Sequence, residues 1–407
     1  MGWKALPVLL CMVAGLTSGE AWSRTFYVEI FGDINVECSR ARPCDSISYA
    51  ISLAGSNDRV LVGPGLYSGS VVLMEPGVKL ISIAGSRATS VFTSPGMMAV
   101  DVDFMADRAV IGQRGKGFSF VGAFNGTDGI RVAAKRVKVE GNSILGNAAG
   151  GSAITVTGSG TAIRNNQVNG FGIGIHFPSG MEKSKHLVSD NHIAQTSSHC
   201  IQLSSGQRSN NRVRDNVLDS CGGWGIDVIT TADNAISGDV IQNNAIDFAV
   251  TGGINVAGGN PRVQRNFVNT LGTDGIAVNE TSSARIQDNL VDYSINALAL
   301  GAANEKLAVT GNTVVSASHG VQLDANAIVP SSFSRNNFYD IAICALEFAN
   351  ATVQGEMVLS RNFWGDTQSP LPDLSCDAES NSLYLGGVQL RMSPSALPNP
   401  VKYRGGI

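Results

Sequence analysis

The sequence predicts an all-β chain: a single-stranded, right-handed parallel β-helix of about 13 coils, with a short capping helix at its N-terminal end. Three observations carry this. First, an asparagine recurs with apolar neighbours: Asn142, Asn166, Asn191, Asn216, Asn244, Asn266, Asn289, Asn312, Asn337 and Asn362, in steps of 22 to 28 residues. Second, a small residue followed by an aliphatic one keeps time with it, from Gly129-Ile130 and Ala153-Ile154 through Gly225-Ile226 to Ala345-Leu346. Third, the chain holds 47 glycines, 6% aromatics and only 15% charged residues, the profile of a turn-rich β protein rather than a helical one. A length of 407 residues would otherwise suggest two or three domains. Solenoids escape that expectation, because they grow by adding coils to one continuous core.

The N-terminus reads as an export signal. Lys4 is the basic start, Ala5 to Leu16 the apolar stretch, and Gly19-Glu20-Ala21 the small-residue cleavage site, so residues 1–21 are expected to be removed. The apolar run is too short for a membrane span and no later stretch is long enough. Removal takes away one charge of each sign (Lys4 and Glu20), so the net charge stays at −4. That balance argues against nucleic acid and anionic membrane surfaces as partners. A secreted, periplasmic or extracellular monomer is expected.

Residues 22–59 form the N-terminal cap. Asp45 is the expected N-cap of a helix running through Ala54, with Ile47, Ala50 and Ile51 on one face. Laid across the first coil, that helix would cover an exposed sheet edge. Residues 60–365 are the β-helix proper, starting with less regular coils over 60–128. Residues 366–407 are a Pro- and Ser-rich tail that covers the other end. Within each coil, period-two runs such as Arg136-Val137-Lys138-Val139 and Ile226-Asp227-Val228 put one set of side chains inward. An asparagine at a fixed corner can hydrogen-bond to its equivalent one coil on, and tolerates the left-handed backbone of a sharp corner. Six cysteines follow the signal, an even number in an exported chain. Cys38 and Cys44 are expected to pair first, then Cys200 with Cys221 on neighbouring coils, then Cys344 with Cys376.

The chain resembles the right-handed parallel β-helix repeat family, related in fold to pectin lyases. The resemblance rests on Tyr27-Val28, the cysteine pair with Pro43-Cys44, Ser46-Ile47-Ser48-Tyr49-Ala50, Val62-Gly63-Pro64-Gly65-Leu66-Tyr67 and the closing Asn362-Phe363-Trp364-Gly365-Asp366. It covers nearly the whole mature chain. It implies a fold rather than one activity, since the family spans lyases, hydrolases, epimerases and proteins without catalysis.

In the resembled fold, substrate lies along the outer face of each coil's first strand. The residue after each Ile then forms an outward stripe, in which His176, Gln202, Asp227 and Asn255 are the polar centre. His199 and Trp224 stand two residues before the Ile on two of these coils. His176, Asp227 and His199 are the candidate catalytic residues. Gln202, Trp224, Asn255, Lys183, Lys185 and Arg208 are the candidate substrate contacts: an indole stacks on a sugar face and the cations meet uronic-acid carboxylates. Outward positions of a solenoid are polar by default, so the same residues also read as plain surface. No cofactor is expected. Asp101, Asp103 and Asp107 are the one candidate Ca²⁺ set, on a pattern that an exposed strand also produces. Thr273-Asp274-Gly275 and Ser318-His319-Gly320 are similar to two polygalacturonase motifs. The aspartate pair those enzymes carry in between is replaced by Asn296-Ala297, and Ala277 and Ala299 leave that upper face without a charged rim. The expected function is binding or processing of a polysaccharide or surface glycan, with an acidic uronic-acid polymer as the named class. The competing reading is a non-catalytic structural or adhesin-like β-helix.

Overall fold

A computed structural model describes residues 23–364, less short stretches such as 179–183, 231–237, 302–305 and 349–354, and beyond them only strand segments within 375–391. The expected signal, Lys183 and most of the tail lie outside the described residues.

One coil shows how the chain is built. Trp224–Thr230 is its strand in the first sheet, Val240–Gln242 in the second and Ala245–Ala249 in the third, before Gly252–Ala257 re-enters the first sheet one rung on. Repetition gives three 13-stranded sheets. Each strand pairs in parallel with its equivalent on the next coil, as Ile226 does with Ile254 and Ile241 with Val263. The pleat sends alternate residues inward, so aliphatics stack on aliphatics about 4.8 Å apart. Ile201, Ile226, Ile254 and Ile276 in the first sheet, Val188, Val213 and Ile241 in the second, and Ile193, Leu218 and Ile246 in the third are all buried.

Coil length varies mainly at one corner. Between first-sheet and second-sheet strands the chain runs from Phe177 to Leu187, Ser205 to Arg212 and Thr230 to Val240, but only from Ala257 to Arg262 and Asn279 to Ala284. The corner between second and third sheets stays constant because the asparagine ladder holds it. The Asn216 Nδ2–H donates to Val188 O (3.1 Å) and to Asn244 Oδ1 (2.9 Å), and the same Asn244 oxygen accepts the Asn216 backbone N–H (3.1 Å). This pattern repeats from Asn142 to Asn362. Two details differ from the sequence reading. The ladder member after Asn312 is Asn336, not Asn337, which sits one place along in the third-sheet strand beside Thr313. The left-handed backbone belongs to the residue before each ladder asparagine: Asn165 (φ 52°), Asp190 (58°), Asp215 (56°), Asn243 (54°), and also Arg265, Arg335 and Arg361. Arginine gains nothing from that conformation, which penalises any residue with a Cβ. Replacing Arg335 with glycine is expected to raise stability by up to about 1 kcal/mol, read as a higher melting temperature.

The two ends are covered differently. Thr25–Asp33 is the first rung of the second sheet, pairing with Arg59–Val62, so the solenoid begins inside the segment expected to be only a cap. The loop closed by the Cys38–Cys44 disulfide folds back on this edge strand, with the Tyr27 N–H donating to Cys38 O and the Asp33 N–H to Pro43 O. Ile47–Leu53 is the cap helix; Ile47, Ala50 and Ile51 are its buried residues. Its N-cap is Ser46, whose Oγ accepts the Tyr49 N–H, rather than Asp45. At the other end Phe338 stacks on Trp364 with ring centres 4.7 Å apart. Cys200 and Cys221 form the second disulfide. Cys344 is also disulfide-bonded, while the Cys376 side chain expected to meet it lies outside the described residues.

Candidate functional site

The first sheet aligns the outward stripe in register: Arg131 with Thr155, then His176, Gln202, Asp227, Asn255, Ala277, Ala299, Gln322 and Glu347. The second outward row, three residues earlier on each strand, runs Trp224, Gly252, Asp274, Asn296, His319 and Cys344. These faces are sheltered. Asp227 is only 3% exposed, Ala277 and Thr155 are also buried, and His176, His199, Gln202, Trp224 and Asn255 are half-buried. The Cys200–Cys221 bridge lies directly beside His199 and ties two of these coils together.

Asp227 is the centre of the lower group. Its Oδ2 accepts from Gln202 Nε2 (3.2 Å) and its Oδ1 from Asn255 Nδ2 (2.8 Å). His199 Nε2 stands 3.9 Å from the same Oδ2. The Trp224 backbone N–H donates to His199 Nδ1 (3.1 Å), so in neutral His199 the proton sits on Nε2 and faces the carboxylate. Both Asp227 oxygens are therefore occupied, and the carboxylate orients its neighbours rather than standing open to a ligand. His176, one rung beyond Gln202, has its pKa lowered by burial and, less strongly, by His199, against an opposing pull from Asp128. It is a neutral imidazole at neutral pH, able to take a proton. The Trp224 indole lies across Gly252: a Cβ there would meet ring carbon Cζ3 at 2.2 Å. Only glycine leaves room for the ring there.

A second group occupies the upper coils. The Asn296 Nδ2–H donates to Asp274 Oδ1 (2.9 Å), which leaves Asn296 Oδ1 as acceptor for His319 Nδ1 (3.1 Å). His319 Nε2 lies 3.8 Å from Glu347 Oε2, which also accepts from Gln322 Nε2 (2.9 Å). Burial raises the Asp274 pKa, with Asp324 adding to the effect; burial also raises Asp324, with Glu347 adding. The small floor of Ala277 and Ala299 thus has a charged rim after all, contrary to the sequence reading. The rim residues that touch are 22 to 28 positions apart and meet only through the coil register.

The remaining candidates fall elsewhere. Lys185 is exposed and lines a cavity of about 750 Å³ on the second sheet. Arg208 is exposed on a turn. Asp101 is held by Arg131 through two hydrogen bonds (2.9 and 2.6 Å), Asp107 pairs with Arg136 (3.1 Å), and Asp103 Oδ1 accepts the Met105 N–H. Two of the three carboxylates named for Ca²⁺ are thus committed to arginines, and no group of metal-ligating side chains occurs among the described residues.

A family model described as the right-handed β-helix region matches residues 114–241. The chain has the parallel β-helix fold. No curated protein matches it in sequence. Among solved structures, this β-helix protein is similar to a PL6 alginate lyase in complex with a trisaccharide, at 12% identity and TM-score 0.55, over 90% of this chain and 85% of that one. It is also similar to the alginate lyase AlyF-OU02 in complex with G6, at 12% identity and TM-score 0.52, over 77% of each chain. A third is the catalytic domain of a GH87 alpha-1,3-glucanase with nigerose, at 12% identity and TM-score 0.52, over 85% of this chain and 66% of that one. At such identities these likenesses describe the fold of the β-helix protein. No helix among its described residues is long and apolar enough to cross a membrane.

Proposed function

We propose that the β-helix protein binds a polysaccharide lengthwise along the sheltered face of its first sheet, centred on the coils from His176 to Asn255. The observation that carries this reading is the fixed array around Asp227. Gln202, Asn255 and His199 are oriented by one buried carboxylate, with the flat Trp224 indole beside them. Polar groups at a constant rung spacing suit a linear polymer of repeating hydroxyls, and an indole suits the apolar face of a sugar ring. The named activities of the three similar structures, all on polysaccharides, support the substrate class. The disulfides support an exported, oxidising setting.

One observation favours processing as well as binding. His176 is neutral and half-buried on the same stripe, where it can abstract a proton from a bound uronic acid. The test is a panel of uronic-acid polymers and neutral glucans, read by the ultraviolet absorbance of unsaturated products, by new reducing ends and by calorimetric binding. Binding to at least one polymer is expected, weakened about tenfold by Trp224→Ala. His176→Ala is expected to abolish any elimination while sparing binding. Silence across the panel in all three readouts would sink the proposal.

A further inference from the structure

The second sheet carries a feature the stripe does not use. Its outward row places Leu187, Arg212, Val240, Arg262 and Arg285 in register on successive rungs. Arg212 and Arg262 are therefore two rungs apart, roughly 10 Å, and Arg285 follows one rung later. With Lys185 from the preceding corner, Arg212 and Arg262 line the cavity of about 750 Å³, beside Asn210 and Asn260. Among the described residues, no carboxylate lines this cavity. Among the described residues no ion pair involves Lys185, Arg212, Arg262 or Arg285, whereas Arg24, Arg42, Arg131, Arg136 and Arg214 each have one. The chain as a whole is net acidic at −4. Unneutralised cations held side by side by a rigid sheet repel one another, and an anion lying between them relieves that repulsion.

A second observation also points into the cavity wall. His186 lies behind it, 2% exposed, with no well-formed hydrogen bond at either ring nitrogen and the Thr161 backbone as a weak partner of the imidazole. A buried imidazole so poorly satisfied is rare in a settled core.

We propose that this second-sheet cavity is an anion-recognition site for the carboxylates of a polyuronic acid, separate from the first-sheet stripe and not dependent on it. Arg212 and Arg262 present planar guanidinium forks that take carboxylates two bonds at a time. Lys185 adds a mobile charge at the rim, and Asn210 and Asn260 supply amides for sugar hydroxyls. A sulfated glycan offers anions to the same fork, and a heparin probe separates the two.

Calorimetric binding of full-length protein distinguishes these. Three probes are compared at low and high salt: an oligogalacturonate, its carboxyl-reduced neutral counterpart, and a heparin oligosaccharide. The expected result is salt-sensitive binding of the oligogalacturonate and none of the neutral form. The double variant Arg212→Gln/Arg262→Gln is expected to weaken that binding at least tenfold. Both residues are exposed, so an unchanged thermal melt should accompany the loss. Trp224→Ala is expected to leave this binding component intact, which separates it from the stripe. Unaltered affinity in the double variant, equal binding of the neutral form, tighter binding of heparin, or no binding of any anionic probe would each overturn the assignment.

Discussion

Asn216→Ala is expected to destabilise the protein by about 3–5 kcal/mol, a large effect for truncation of a single polar side chain. The asparagine sits mid-ladder and is 1% exposed. Its amide donates to Val188 O and Asn244 Oδ1, and its own Oδ1 accepts both the Asn191 backbone N–H (3.1 Å) and the Asn191 Nδ2–H (3.0 Å). Truncation strands Val188 O and the Asn191 N–H in a dry interior, each at about 1–3 kcal/mol, and removes a link shared by three coils. Asn255→Ala is the comparison: a half-buried asparagine whose recorded side-chain bond is to Asp227, expected to lose about 1 kcal/mol. Urea unfolding of both variants checks this. Equal losses would mean the ladder is no more than ordinary corner packing.

The second large effect is acid sensitivity centred on His186. Burial depresses its pKa to about 4 from 6.5. The ring packs on Phe177 with centroids 4.4 Å apart. As pH falls, the unfolded chain takes up this proton near pH 6.5, whereas the folded protein resists until about pH 4. Stability is therefore full above pH 6.5, falls by about 3 kcal/mol between these values, and levels off below them. His176, also lowered, adds in the same direction. Asp247, Asp274, Asp292 and Asp324 have raised pKa values, bind protons more readily when folded, and so oppose the loss. His186→Leu should flatten most of the slope. Valine and leucine already fill the same corner column at Val137 and Leu307, so the substitution fits the site. Thermal melts from pH 7 to pH 4 measure it. An unchanged slope in the variant would show that another group dominates.

The repeat made the register readable before any coordinates. Counting from each asparagine to the following Ile placed His176, Gln202, Asp227 and Asn255 on one line, where the sheet pairs them. Local ambiguities went astray where two residues of similar chemistry stood together: Asn336 and Asn337 in one corner, Asp45 and Ser46 at one helix start. Backbone geometry separates such neighbours; composition does not. The burial of Asp227 was not legible either. An outward position reads as exposed, and only the flanking corners and side chains shelter it. Of the second-sheet cations, the sequence singles out Lys185 as a substrate contact, but its grouping with Arg212 and Arg262 escaped for another reason. Lys185, Arg212 and Arg262 come from three separate coils, each with its own loop length, and their row is interrupted by Val240. Nothing in a linear reading groups them.

The confinement of most length variation to the corner between first and second sheets has a consequence for how such a molecule can change. The corner held by the asparagines fixes where each rung begins, so residues gained or lost at the opposite corner are not passed along the stack. Surface and scaffold are in this sense inherited separately. The longer crossings, those from Phe177 to Leu187 and from Thr230 to Val240, join strands that carry the stripe to strands that carry the cationic row. Transplanting such a crossing onto a coil with a short one, such as that between Ala257 and Arg262, should relocate a binding wall along the axis as a cartridge is moved in a rack, with the spine unaltered.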